Sequence, residues 1–384
     1  MSNPLEAARK RMTRAMTGEG ALRSAHWIDA FLSVPRETFV PRFTIGYGIE
    51  ARVYEEGEAD YPEATYTDTS LITRWDSGGS PISSSSAPSL MARMLEAFDS
   101  NAGPVLEIGT GTGYNCALLC HHFGADHVVS VDVDPDLTAN AREKLATLGY
   151  APTLLTGDGT SGHPDRAPYG GILATCGVDR IPPEWIRQVR PGGVIVTNIG
   201  SGVAKLTVDE AQSASGRFLP EAAKFMRARP TPERVTEKAS KYTKLIARGT
   251  GKRVIERLPD HHDGPVGVLR ELVHGHVLEI SLRQPEVVTM SLVPADGPVM
   301  YGLMHPPSGS WARVSPVAEH TAEVVSGGAL DLWTERISLL SGWLKSGRPT
   351  PGDYHLTVDS RGQHVLRREK PAPSIWRFHE TSDS

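Results

Sequence analysis

With 384 residues, the chain is long enough to fold as two domains, each with its own core. Its apolar share of 39% and charged share of 22% are ordinary for a globular protein, and a formal charge of −5 speaks against a general nucleic-acid binder. It shows no apolar run at the N-terminus or of membrane-spanning length, and its three cysteines, Cys116, Cys120 and Cys176, make no disulfide framework; a cytoplasmic protein without signal peptide or membrane span is the expectation.

Residues 1–30 mix basic and apolar positions (Leu5, Met12, Met16, Leu22), as one or two surface helices do. V-P-R-E-T-F-V-P at Val34–Pro41 brackets Phe39 with prolines and reads as an extended connector with one buried aromatic. Y-T-D-T-S-L-I at Tyr66–Ile72 leads past Trp75 to G-G-S-P-I-S-S-S-S-A-P at Gly78–Pro88. Leu90, Met91, Met94, Leu95 and Phe98 then fall at helical spacing and predict a helix with Ser86 as N-cap and Pro88 in its first turn. On that reading Ser83–Ser86 crowd onto a helix N-terminus, where hydroxyls, free N–H groups and the helix dipole favour a carboxylate. The alternative is a flexible serine loop with one capping serine.

The rest of the chain is organised around Val105–Ala117, V-L-E-I-G-T-G-T-G-Y-N-C-A. A short apolar run, a glycine turn and a helical pattern make a strand, a ligand loop and a helix N-terminus. The turn is tight and a ligand must touch backbone, which requires glycine at Gly109, Gly111 and Gly113. The dinucleotide spacing G-x-G-x-x-G fails because Tyr114 stands at its last glycine, which disfavours a nicotinamide dehydrogenase. Val128–Asp132 is the second strand, ending in an acid able to accept hydrogen bonds from a ribose; a helix cap is the alternative, and the glycine loop upstream favours the ribose. Leu137–Leu148 is helical and stopped by Gly149. Thr153–Thr156 is the third strand, with Gly157-Asp158-Gly159 at its carboxyl end, where Asp158 can contact the adenine side of a ligand. Gly171–Thr175 and Val194–Ile199 complete a parallel sheet, with a helix at Pro183–Val189 and a turn at Pro191–Gly193 between them.

From about Phe225 the character changes. Lys224–Arg257 carries eleven basic residues against three acidic ones and reads as a linker followed by a new unit. Strands are expected at Val277–Leu282, Val287–Val293, Val299–Met304 and Trp311–Val314, a turn at Pro294–Gly297, a helix at Leu330–Lys345, and a closing hairpin of His355–Val358 and His364–Leu366. The division expected is residues 1–228 and 229–384: a doubly wound α/β sheet followed by a smaller α+β domain. Cys116 and Cys120 beside His121 and His122 are read as packing, and Asp260-His261-His262-Asp263 as a surface turn; no metal is expected. Trp311, Trp333 and Trp343 are expected in the core of the second domain.

The motifs V-P-R-E-T-F-V-P, Y-T-D-T-S-L, P-I-S, V-L-E-I-G-T-G-T-G-Y, V-S-V-D, G-D-G, A-P-Y and a P-G-G turn before the last parallel strand occur in one order. Over roughly residues 20–200 this set resembles the protein-L-isoaspartate O-methyltransferases, whose E-x-G-x-G-x-G loop is a motif of S-adenosylmethionine (SAM) methyltransferases. The resemblance implies a Rossmann-like SAM-binding domain with S-adenosylhomocysteine as its product. It implies cofactor contacts at Glu107, Gly109, Thr110, Gly111, Thr112, Gly113, Asn115, Asp132, Val133, Gly157, Asp158 and Gly159, and substrate contacts at Asp68, Ile82 and Thr175. There are departures. Pro81 replaces the threonine of the family's T-I-S-x-P; Ser83 matches its serine, but two extra residues separate it from Pro88. That leaves Ser83, Ser84, Ser85 and Ser86 as candidates to meet the reacting carboxylate. Gly170 replaces the acid of A-P-Y-D. The serine loop and the long C-terminal extension resemble the homologues of lasso-peptide, graspetide and lanthipeptide pathways. That resemblance implies methylation of an aspartate in a modified precursor peptide, followed by closure to an aspartimide; a monomer is expected, although the sequence itself does not reveal oligomeric state. Repair of isoaspartyl residues and a non-catalytic, SAM-dependent peptide binder are the alternatives.

The chemistry suits these residues. An aspartate with an unperturbed pKa of about 3.9 is anionic at neutral pH, so no general base is needed. Serine hydroxyls can orient it without tying up its lone pairs as arginine would. The basic stretch Lys224–Arg257, with Lys238, Lys241 and Lys244, reads first as a solvated basic face; the alternative is that it grips the peptide together with the C-terminal unit.

Overall fold

The computed structural model describes residues 3–47, 50–99, 103–231, 239–261, 263–274, 277–294, 298–370 and 373–378. Two helices, Pro4–Gly18 and Ala25–Ser33, open the chain. The octapeptide after them is a short 3-10 turn at Arg36–Phe39, with Arg36 and Phe39 buried. Strands β1 (Arg42–Ile45), β2 (Arg52–Glu55), β3 (Leu71–Trp75) and β4 (Pro81–Ser85) form an antiparallel sheet in the order β2-β1-β3-β4.

The main sheet follows the expected βα order. Strands β5 (Val105–Ile108), β6 (Val128–Asp132), β7 (Thr153–Thr156), β8 (Tyr169–Val178) and β9 (Val189–Ile199) run parallel in the order β9-β8-β5-β6-β7. Every residue of β5 and β6 is buried. Such strands, covered on both faces, read as near-continuous apolar runs. One face packs on the N-terminal helices and the helices Pro88–Ala97, Tyr114–Phe123 and Pro135–Thr147; the other packs on Trp185 and Ile186 of the helix Pro183–Gln188. The strand order reverses between β5 and β8, and in open α/β sheets a ligand crevice opens at such a point. Strands β10 (Gly202–Val208) and β11 (Ala214–Ala222) extend the sheet antiparallel beyond β9.

The accessory unit is a five-stranded antiparallel sheet: β12 (Lys252–Arg257), β13 (Val288–Leu292), β14 (Met300–His305), β15 (Ser310–Ala318) and β16 (Thr321–Gly327), in the order β12-β16-β15-β14-β13. The helices Gly264–His274 and Leu332–Lys345 bury Trp333 in the core on one face; Tyr242 and Ile246 of the helix Ala239–Arg248 pack with Trp311 on the other. Trp343 is partly buried against the first of these cores. The turn residues Ala295–Gly297 lie outside the described residues.

Two expectations give way here. Val277–Leu282, read as a strand, is a helix over Leu278–Arg283. Its alternating pattern also satisfies helical spacing, and Leu278 and Leu282, one turn apart, bury into the core of the main sheet. The closing hairpin, assigned to the second unit, belongs to the first sheet. Strands β17 (Tyr354–Val358), β18 (His364–Arg368) and β19 (Ser374–Arg377) add to the edge of β11, giving ten strands in all. That edge would otherwise stand unpaired, and Tyr354, Leu356 and Val358 bury against the main sheet. The helix Leu278–Arg283 also ties the units together: the Ser281 hydroxyl donates to Ser201 Oγ at 3.0 Å, the Tyr354 hydroxyl donates to Glu279 at 3.1 Å, and Arg283 stacks 5.1 Å from the Trp376 ring centre.

Candidate active site

A cavity of about 320 Å³ opens at the carboxyl ends of β5, β6 and β8, where the strand order reverses. One wall is the glycine loop. Gly109, Gly111 and Gly113 have φ of +95°, +53° and +91°, where a side chain is strained. A Cβ on Gly109 would also lie 2.9 Å from Thr175 Oγ1, and one on Gly113 3.1 Å from the Ala141 Cβ. Thr175 Oγ1 donates to the Gly109 carbonyl at 2.7 Å, clamping the loop to β8.

Beneath the loop Glu107 is fully buried. It accepts from Asn115 Nδ2 at 2.6 Å and from Ser130 Oγ at 2.5 Å, and Ser130 Oγ shares a 2.6 Å hydrogen bond with Thr110 Oγ1. Burial outweighs these donors and pushes the Glu107 carboxyl up to about 7. Glu107 does not reach the cavity; it anchors Asn115 and Thr110, which do. Asn115 Oδ1 is buried without a hydrogen-bond partner and its residue lines the cavity. Asp132 ends β6, its Oδ2 accepting from the Gly111 N–H at 2.8 Å and its Oδ1 from the Asp134 N–H at 3.0 Å. Its pKa is raised by burial in spite of these two donors.

Of the nominated cofactor contacts, Gly109, Thr110, Gly111, Thr112, Asn115, Asp132, Val133 and Gly159 line the cavity, whereas Glu107, Gly113, Gly157 and Asp158 do not. Asp158 caps a 3-10 turn instead: Oδ1 accepts from the Thr160 N–H at 2.9 Å and Oδ2 from the Thr160 hydroxyl at 2.8 Å. Asp158→Ala is therefore expected to lower stability by about 1 kcal/mol and to change SAM affinity by no more than about twofold. Urea unfolding and titration calorimetry check this, and a tenfold loss of affinity would return the carboxylate to the cofactor site.

The opposite wall is β4. Ser83–Ser85 are a strand and not a loop, paired with β3 in the register Leu71↔Ser85 and Ile72↔Ser84. The helix cannot begin at Ser86, because Ala87 precedes a proline and is held extended at φ −56°, ψ 131°. No side chain of the N-cap residue bonds this helix; Asp68 Oδ1 accepts the Ser89 N–H at 2.8 Å instead. Asp68, expected on the substrate side, is thus a remote helix cap and is absent from the cavity wall, while Ile82 and Thr175 line it.

The pleat sorts the serines. Ser83 and Ser85 are buried, at 2% and 4% exposure, and their hydroxyls accept from Thr73 Oγ1 and Arg36 Nε, each at 3.1 Å. Ser84 and Ser86 alternate with them and are half-buried. The strand lies against the glycine loop: a Cβ on Gly111 would sit 3.8 Å from the Ser84 carbonyl oxygen. Arg74 of β3 pins the hairpin to the helix after β6, pairing with Asp134 and Asp136 at 3.0 Å each.

The third wall is Lys224–Arg229, which runs beside the end of β8. Gly177 donates to the Met226 carbonyl and accepts from the Ala228 N–H, both at 2.8 Å, and the buried Asn198 accepts from the Phe225 N–H at 3.2 Å. Arg227 pairs with Asp179 and donates to the Pro285 carbonyl at 3.0 Å. This strap was not nominated residue by residue; its basic run was the signal. Lys244 is exposed on the accessory unit, while Lys238 and the side chain of Lys241 lie outside the described residues. Tyr47, at 63% exposure, also lines the cavity and meets the Trp75 ring edge-on at 6.1 Å between centres. Cys176 lines it too; burial pushes its thiol up to about 12, so it stays protonated and does not compete for an electrophile. Among the described residues no cluster of His, Cys, Asp and Glu could hold a metal, and no helix is long and apolar enough to cross a membrane. His262 lies outside the described residues.

The family model for protein-L-isoaspartate(D-aspartate) O-methyltransferase matches residues 7–219, more than half of the chain. The chain belongs to this family. The protein-L-isoaspartate O-methyltransferase of Ignicoccus hospitalis is 33% identical over 195 residues, which are 50% of this chain and 82% of that protein. The one from Hyperthermus butylicus is 35% identical over 206 residues, 50% of this chain and 75% of its own. A solved structure named as a protein-L-isoaspartate O-methyltransferase covers 96% of this chain and 99% of its own at 23% identity and a TM-score of 0.51, a likeness of fold that takes in the accessory unit. As a member of the protein-L-isoaspartate O-methyltransferases, the chain is a SAM-dependent carboxyl methyltransferase. The cavity fits that cofactor: a wall of glycine-loop backbone without side chains at Gly109 and Gly111, a buried carboxylate with spare lone pairs at Asp132, and an unpartnered acceptor at Asn115 Oδ1.

Proposed function

We propose that this methyltransferase esterifies an aspartyl side chain of a ribosomally made, modified peptide, and that the ester then closes to an aspartimide. The reading is carried by the strap Lys224–Arg229. It sets Lys224, Arg227 and Arg229 around a serine-walled cavity, a lining suited to an acidic peptide held beside the SAM-dependent site. Asp132 would accept from the cofactor's ribose, Asn115 would meet its cationic methionine end, and the glycine loop would offer it backbone. When bound, SAM supplies an electrophilic methyl group. The Ser84 and Ser86 hydroxyls orient the substrate carboxylate, which needs no base because it is already ionised. Such alignment is worth as much as ~7–11 kcal/mol of barrier. The strap and the β3–β4 hairpin exclude water.

The neutral ester then reacts within the peptide. The backbone nitrogen of the next residue bonds to the ester carbonyl carbon, the carbon–methoxy bond breaks, and the nitrogen's proton leaves with methoxide as methanol. A second reading, repair of isoaspartyl residues, is favoured by the family match and by the names of the relatives. A pair of peptides alike except for Asp or isoAsp at one position separates the two. Methylation of the Asp peptide, seen by mass spectrometry as one added methylene and then a net loss of one water, supports the aspartimide reading. Methylation of the isoAsp peptide alone assigns repair.

A further inference from the structure

The serine wall has a cation behind it. Arg36 is wholly buried, yet no carboxylate among the described residues comes within 4.0 Å of its guanidinium. It is held by neutral acceptors: Nη2 donates to the Ser86, Ser85 and Thr69 carbonyls at 2.9, 3.2 and 3.3 Å, Nε to Ser85 Oγ at 3.1 Å, and Nη1 to the Thr65 and Thr67 carbonyls at 2.8 and 3.3 Å. Asp68 acts on it only from beyond pairing distance, with one oxygen taken by the Ser89 N–H. Buried charges are ordinarily paired, because leaving one uncompensated is costly. Arg36 is therefore hydrogen-bonded but not charge-paired, and it sits against Ser85 and Ser86, which line the cavity that Arg36 itself does not reach.

We propose that Arg36 is a positioning residue that makes the serine wall select an ionised carboxylate over its neutral isostere. This rests on the reading that Ser84 and Ser86 receive the substrate carboxylate. A guanidinium in direct contact would hold the oxygen lone pairs in strong, charge-assisted hydrogen bonds and blunt the nucleophile. Placed behind the strand, the same charge attracts the anion while only serine hydroxyls touch it. Its field is little screened by salt there, because the guanidinium is buried and bonds the strand directly.

The test uses the peptide that the paired assay shows to be methylated, with its carboxamide counterpart as a competitive inhibitor. The readout is the ratio of carboxamide to carboxylate dissociation constants. The wild-type enzyme is expected to favour the carboxylate strongly. Arg36→Gln removes the charge, keeps a donor at the Nε position toward Ser85 Oγ, and is expected to reduce that ratio about tenfold. Asp68→Asn keeps an acceptor for the Ser89 N–H, removes the charge that partly offsets Arg36, and is expected to raise the ratio a few-fold. A purely structural Arg36 moves the melting temperature and kcat and leaves both ratios at the wild-type value; that result overturns the inference while methylation by the wild type keeps the reading. If Arg36→Gln does not fold, an unchanged ratio in Asp68→Asn is enough to overturn it. A wild type that methylates neither peptide overturns the reading and this inference with it.

Discussion

Ser84→Ala and Ser86→Ala are each expected to lower kcat/KM for the methylated peptide by about 10- to 100-fold, the worth of one hydrogen bond to a charged group. Ser83→Ala is expected to change it by less than about threefold. The contrast comes from the pleat. Successive side chains of a strand point to opposite faces; all four serines line the cavity, but Ser83 and Ser85 are buried and their oxygens already accept from Thr73 and Arg36, which fixes their side chains, whereas Ser84 and Ser86 are half-buried. Ser70 Oγ sits 3.4 Å from Ser84 Oγ and supplies a second hydroxyl on the cavity side. Steady-state kinetics on the three single variants, each with its melting temperature, check the pattern. Equal losses at adjacent serines would mean that the strand does not present alternate hydroxyls to the substrate. A loss at Ser83 alone, the position that matches the family serine, would move the carboxylate to the other face.

The parts of this molecule that could be read from its sequence are those coded over short distances. The glycine loop, the acid at the end of β6 and the βα order each depend on spacings within one unit, and they place the cofactor side of the cavity. The substrate side depends on contacts far apart in the chain. Four serines in a row carry no strand propensity, and they become β4 because β3 pairs with them and Arg36 holds their carbonyls from up to 50 residues away. Asp68 and Asp158 sit inside recognisable motifs, yet their carboxylates are committed to backbone N–H groups at a helix and a turn, which no motif records. Val277–Leu282 alternates like a strand while Leu278 and Leu282 also meet helical spacing, so periodicity alone could not choose. The pairing of β17 with β11 joins segments on either side of a whole folded unit. The local excess of basic residues from Lys224 onward is legible as well, and Lys224–Arg229 at its start form the strap.

Glu107→Gln is expected to stabilise the fold at alkaline pH while weakening the enzyme. The Glu107 carboxyl titrates from an ordinary value of 4.5 in the unfolded chain to about 7 in the folded one, because burial disfavours its charge. The folded state therefore binds more protons than the unfolded state between those two values, so stability falls as pH rises through that window. At about 1.36 kcal/mol per unit, the loss reaches roughly 3 kcal/mol above pH 7 and is absent below pH 4.5. Glutamine has no charge to bury, so the gap between variant and wild type opens across that same interval; urea unfolding from pH 4 to pH 9 measures it. Parallel stability curves would show that Glu107 is not charged at the expense of the fold. The functional cost has a separate origin. The carboxylate accepts from Asn115 Nδ2 and thereby fixes the amide of a cavity-lining residue with its Oδ1 left unpartnered. A glutamine can donate as well as accept and no longer dictates that orientation, so SAM affinity is expected to fall about tenfold, the loss of one charge-assisted hydrogen bond. A variant that is both more stable and equally tight for SAM would show that the buried acid does not orient Asn115. A variant that is more stable and weaker in binding identifies Glu107 as a residue whose buried charge is retained for the cofactor site and not for the fold.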